Sequence, residues 1–446
     1  MATTVSREGS SLVSPYKIHI VPEDTGLWKV PQTDEAARKA SDLLQEDLEK
    51  HHVFFNNLNF HNHLSHQTLA LYGTGATPHT LQKAYDNNTS YQRPSQPLHP
   101  EVVTELTSNW PQNAPKYLGR GKHYPDFLRF FQQRMDEEGG SWQAVLGTHL
   151  FKPAKQGKEG NDADDDLLLR MFAGVLHPLI QLMYGMEWNQ PAIVAQALAQ
   201  AAVHKPGEIG RFLQTAERDS EARGVGAGDG GMGRIVDLLE EVARGNGVEK
   251  VVGKVRVGED EVEERTAEMF DACVYLAAAA ARREGKVDKF DFFLIHHVNA
   301  SPLFLTINAQ PWIPRATKAR LLEWKIRLDL REYAVRGAPP LALDKITAYK
   351  PKRADATGQP SKTTLLDIIS RLHTLDEDGH AIKLARAAAI CHELSRKYED
   401  RDWMMVRGDD MWVKVHHLIV DSAEAPGPEW VRGAGFDEAW KDVPDA

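Results

Sequence analysis

The chain lacks most of the features that make an enzyme's chemistry easy to read. It has two cysteines in 446 residues, Cys273 and Cys391, too few for a disulfide framework or a thiolate-rich zinc site. Both lie in alanine-rich helical stretches and read as small buried residues, so a reducing, cytoplasmic setting is expected. No run of about 18 apolar residues occurs, so no membrane span is expected. The opening MATTVSREGSSLV has no apolar core of a secretory signal. A basic surplus is missing too. Lys and Arg number 53 against 63 Asp and Glu, a net charge of −10, which argues against nucleic-acid and anionic-membrane partners. There is no Gly-x-Ser-x-Gly elbow, no P-loop and no internal repeat, and strand-like alternation is scarce.

What is abundant is helix signal. Apolar residues make up 42% of the chain, enough for a large core. The expected fold is mainly α: a large, bundle-like helical domain with long loops and little or no sheet. Residues 1–32 read as an irregular arm, 33–422 as the helical catalytic domain, and 423–446 as a Pro/Gly-rich tail. Thr33 is placed to cap a helix with an acidic first turn, and Thr77-Pro78 to open another with proline where its missing N–H costs nothing. The segment 89–116, rich in Pro, Asn and Gln, reads as a long surface loop. Lys152–Asp165 reads as a polar insertion. From Asp166 an almost wholly apolar helix is expected, kinked in its middle by His177-Pro178. A helix is expected over Val287–Ala300, and another from about 362 to 375. Asp378 is placed to cap a further helix running from His380 to about Arg396.

That last helix has an unusual face. At helical spacing, His380, Lys383, Leu384, Ala387, Ile390, Cys391 and Leu394 share one side. A lysine in an apolar stripe must snorkel out, lose its proton or be chemically changed. Histidine is also over-used, with 19 residues. Four separate apolar helices carry one where aliphatic packing is expected: His63 or His66, His177, His296 or His297, and His380. One such histidine reads as a hydrogen-bonded core residue; four together read as a metal site built from facing helices. Imidazole suits Fe, Zn, Cu or Ni, and zinc hydrolases and iron oxygenases both fit.

Two other patterns carry less. Glu49-x-x-His52 and Glu377-x-x-His380 match the half-motif of di-iron carboxylate bundles, but no bridging glutamates accompany them. Gly226-Ala227-Gly228-Asp229-Gly230-Gly231 has the spacing of a dinucleotide fingerprint, yet the charged stretch before it is no buried strand. It reads as a loop.

The segments FHNHLSHQTLALYGTGA, YLGRGKHYPDFLRFF, LHPLIQLMYGMEW, DFFLIHHVNAS and GHAIKLAR occur in this order along the chain. Together they resemble the questin oxidase-like proteins of fungal secondary metabolism over roughly residues 45–420. The resemblance implies oxidative, Baeyer–Villiger-type ring opening of an anthraquinone polyketide, without a flavin-binding motif. It retains His63, His177, His296 and His380 as candidate ligands. Gln181 stands where that family commonly has histidine, and Asn299-Ala300 where it has Thr-Ser, so a substrate other than questin is expected.

Oxygen insertion without flavin needs another means of activating O₂, and a redox metal is the simplest. The leading reading is therefore a mononuclear non-haem Fe²⁺ oxygenase. His63, His177, His296 and His380 are its ligands, His66 and His297 the alternates, and Lys383 a carbamate ligand or a base, with NADPH as a possible electron source. Its partners are a small aromatic polyketide and O₂. Two other readings stay open: an NADPH-dependent, metal-free Baeyer–Villiger oxidase, and a non-catalytic polyketide-binding protein.

Overall fold

The computed structural model describes residues 13–151, 163–222, 232–352 and 364–446. These residues are mainly helical, and their extended contacts are isolated bridges rather than a sheet. Most of the polar insertion Lys152–Asp165, the glycine-rich stretch through 223–231 and residues 353–363 lie outside the described residues. No described helix is long and apolar enough to cross a membrane.

The chain divides into two compact units, Met1–Gly207 and Glu208–Ala446. In the first, helix Pro191–Val203 is buried at every position, as its apolar circumference requires. It packs against helices His177–Glu187 and Tyr124–Glu137. Gly185 permits the first of these contacts, because a Cβ there would lie 2.7 Å from the backbone nitrogen of Val194. Helix Asp34–Lys50 opens as its sequence suggests, with the Thr33 side chain accepting from Ala36 N. The stretch ahead of it is fastened to that helix: Ile18 N donates to Gln45 Oε1 at 2.9 Å and Ile20 N to Ser41 Oγ at 2.8 Å. Thr77 likewise caps helix Pro78–Thr89.

In the second unit, helix Val262–Ala280 is central and packs on helices Phe292–Ala300, Arg315–Val335 and His380–Ser395. Both cysteines are buried and free. The tail is folded in. Val431 and Trp440 are buried, and Asp291 Oδ2 accepts from Gly433 N at 2.6 Å and Ala434 N at 2.9 Å.

Several local expectations are corrected. The segment 89–116 is not one loop; it contains helices Pro100–Ser108 and Trp110–Asn113. Pro100 and Pro111 each sit in a first turn, where proline favours helix rather than breaking it. The apolar helix does not run through His177-Pro178. Helix Ala163–Met171 ends, and a new one begins at His177 with Pro178 in its first turn. Helix Phe292–Ala300 starts later than expected because Asp291 accepts from Phe293 N and Leu294 N and so fixes its start. The piece expected over 362–375 is a short helix, Leu365–Ser370, followed by a 3₁₀ turn.

Candidate metal centre

Each unit contains a close pair of buried histidines. In the first, His63 ends the approach to helix Leu64–Tyr72 and His177 opens helix His177–Glu187. Their Nε2 atoms are 2.9 Å apart, and their rings are nearly parallel, at 7°. His177 is placed by an unusual turn. Gly174, Val175 and Leu176 have φ of 56°, 54° and 62°, and a β-branched residue in that region carries strain of about 1–3 kcal/mol. The turn brings Gly174 O to 2.6 Å from His177 Nδ1. That nitrogen therefore donates, and Nε2 presents its lone pair to His63.

In the second unit, His296 on helix Phe292–Ala300 faces His380 at the start of helix His380–Ser395, Nε2 to Nε2, at 3.2 Å. His296 Nδ1 donates to Phe292 O at 2.5 Å, and His380 Nδ1 to Asp378 Oδ1 at 2.5 Å. His380 is 1% exposed, and burial lowers its pKa, although Asp378 opposes this. With both Nδ1 protons committed to oxygen, two neutral rings point lone pair at lone pair. That arrangement is repulsive unless a proton or a cation lies between them. A divalent metal that accepts imidazole fits this donor set.

Lys383 lies one turn beyond His380. It is 2% exposed, and its Nζ makes no hydrogen bond to the described residues. Burial lowers the pKa of its amine, with Asp378 and Glu377 acting the other way. Glu377 shows the mirror effect, its carboxyl pKa being raised by burial first and by Asp378 second. Asp378 does not cap the helix. The N-cap is Gly379 at φ 96°, without a side-chain cap, and Glu377 Oε2 accepts from Ala381 N at 3.0 Å. Glycine takes the left-handed conformation at little cost, which turns Asp378 away from the helix end and onto His380.

The two alternates have other surroundings. His297 Nδ1 donates to Asp329 Oδ1 at 2.5 Å, and the same carboxylate pairs with Lys325 at 2.5 Å. His66 is fully buried, its ring stacked 5.6 Å from Tyr184 and 6.0 Å from His63. The di-iron half-motifs are not assembled. His52 bonds to Gly121 O and receives Phe54 N, while Glu49 accepts from Gln45 at the surface.

Two residues near these pairs escaped the sequence reading. His61 stacks on His177 with centroids 3.8 Å apart, and its Nε2 is 2.7 Å from His204 Nε2. Asp378 orients His380. The HNH spacing around His61 was a usable signal. Nothing local separated an orienting Asp378 from a capping one.

A family model described as questin oxidase-like matches residues 60–388. The chain is 33% identical to the "Baeyer-Villiger monooxygenase AacuH" of Aspergillus aculeatus, covering 93% of this chain and 92% of that one. It is 34% identical to the "Baeyer-Villiger oxidase mdpL" of Emericella nidulans, covering 90% and 92%. It is 32% identical to the "Questin oxidase" of Aspergillus fumigatus, covering 92% and 94%.

Proposed function

We propose, on the premise that the chain belongs to the questin oxidase-like family of oxidoreductases, that it is an oxygenase cleaving a ring of an anthraquinone-type polyketide with O₂. Its metal is a mononuclear non-haem iron(II), with His63, His177, His296 and His380 as ligands and Lys383 completing the shell as a carbamate. The relatives' names support the reaction class, since Baeyer–Villiger oxidation inserts an oxygen atom beside a carbonyl and opens a ring. The observation that carries the metal is the His296–His380 pair, whose Nδ1 protons are both committed elsewhere.

Iron, when bound, supplies the one-electron access to O₂ that no side chain offers. The chain's own part is to present neutral imidazoles, hold their tautomers and keep water out. Asp378 and the carbonyls of Gly174 and Phe292 fix the rings through Nδ1. Lys383 supplies the anion that four neutral ligands lack. Its amine, in neutral form, adds to CO₂, forming an N–C bond and releasing a proton, and the resulting carbamate carries charge −1 against the metal's +2. Burial, without a hydrogen bond to the amine among the described residues, favours that neutral form. Insertion of one oxygen atom leaves the other to be reduced to water, a two-electron demand that NADPH meets.

Elemental analysis of the purified protein tests the metal: about one iron per chain is expected, and a metal-poor but fully active protein would overturn the reading. Lys383→Arg tests the carbamate, because arginine keeps its positive charge and does not capture CO₂. Loss of both iron and turnover is expected. Near-normal turnover would remove the carbamate and leave Lys383 as a cation.

A further inference from the structure

We infer that His99, His123 and Asp126 form a second metal site, separate from the proposed iron centre and suited to a zinc-class divalent ion. His99 immediately precedes helix Pro100–Ser108. His123 closes the 3₁₀ turn Gly121–His123, and Asp126 lies in the first turn of helix Tyr124–Glu137. One ligand atom from each residue lies within 4.8 Å of the other two. His123 Nδ1 is 2.7 Å from Asp126 Oδ2, and His99 Nδ1 is 3.1 Å from the same oxygen. Donors each about 2.0–2.1 Å from one zinc ion sit roughly 2.9–3.4 Å apart at angles of 90–110°. The observed spans match that to within a few tenths of an ångström.

The surroundings are those of a built site. Asp126 is fully buried and His123 is 4% exposed. Asp126 Oδ1 also accepts from His99 N at 2.7 Å, a backbone bond that fixes the carboxylate plane and ties both helix starts to it. The third ligand gives access, because the His99 side chain is 40% exposed. Three protein donors leave the fourth position of a tetrahedral zinc site to a water molecule. The donor set carries charge −1, a match for a divalent cation. Both helix N-termini point partial positive charge, about half a unit each, toward the cluster and oppose a cation. A full carboxylate charge in contact with the ion outweighs them. On binding, each Nδ1 proton moves to the ring's Nε2, so no net proton is released.

The test is zinc titration of the full chain, chelator-treated and then reloaded with iron(II) so that the proposed iron centre is filled, read by bound zinc and iron per chain and by the visible spectrum after cobalt(II) replaces the zinc. Wild type and His380→Ala are both expected to bind one zinc more than His99→Ala and Asp126→Asn do. Iron content should be the same in wild type and His99→Ala. His99→Ala is the safer variant, since its side chain is the most exposed of the three and makes no capping bond; if Asp126→Asn misfolds, His99→Ala alone decides. Equal zinc stoichiometry in wild type and His99→Ala would overturn the proposal. So would loss of this zinc in His380→Ala, which would place it at the other histidines.

Discussion

Replacing Lys383 with methionine separates what this residue costs from what it does. Its amine is buried, makes no hydrogen bond among the described residues and has its pKa lowered by that burial. An uncompensated buried charge or polar group costs roughly 2–4 kcal/mol, while an apolar side chain of similar volume carries no such penalty. In the metal-free protein Lys383→Met is therefore expected to stabilise the second unit. That unit spans Glu208–Ala446, and at about 2.1 cal/mol/K per residue its unfolding entropy is roughly 0.5 kcal/mol/K. The gain corresponds to about 4–8 °C in its melting transition. With iron and bicarbonate present the order should reverse. Wild type gains the binding free energy of a metal that favours only the folded state, and the variant, without the carbamate, gains little. Calorimetry of both proteins, metal-free and iron-loaded, reads all four values, with bound iron and turnover measured on the same samples. A metal-free variant no more stable than wild type would refute the burial argument. A variant that keeps iron and turnover would refute the carbamate while leaving the burial argument standing.

The remaining predictions address other residues. His296→Ala and His380→Ala should each lose bound iron and turnover with far-UV helical content nearly unchanged; a variant with full iron would remove that residue from the ligand set. His204, in contact with His61, has a pKa lowered to about 4, first by burial and second by Arg170. The unfolded chain takes up this proton near pH 6.5, so wild-type stability should fall by roughly 3 kcal/mol as pH drops from about 6.5 to about 4. His204→Gln should flatten that slope in denaturant titrations at fixed pH values, and an unchanged slope would reject the assignment. Asn299, 1% exposed, has a carboxamide with neither atom hydrogen-bonded to the described residues, one turn beyond His296. Asn299→Leu should raise the melting temperature, reflecting about 1–3 kcal/mol of unmade hydrogen bonding, and raise KM if the amide meets the substrate. A raised melting temperature with unchanged KM would make Asn299 a structural residue alone.

Much of the fold was legible because its signals are local. Thr33, Thr77-Pro78 and the largely apolar, alanine-rich stretch at 191–203 announce their helices through bonds that reach only three or four residues. The histidine-bearing helices and the misplaced Lys383 were legible for the same reason, since a polar residue on an apolar face breaks a period visible in the sequence. Tertiary structure decided the rest. His296 and His297 are neighbours about 100° apart on one helix; which faces His380 and which Asp329 depends on how helices Arg315–Val335 and His380–Ser395 pack against it. Pro178 is compatible with a mid-helix kink or a first turn, and the left-handed run Gly174–Leu176 selects the turn. Asp378 was equally able to cap a helix or hold an imidazole. Gly379 at positive φ sends it to His380, because a side chain's partner is chosen by where the backbone aims it.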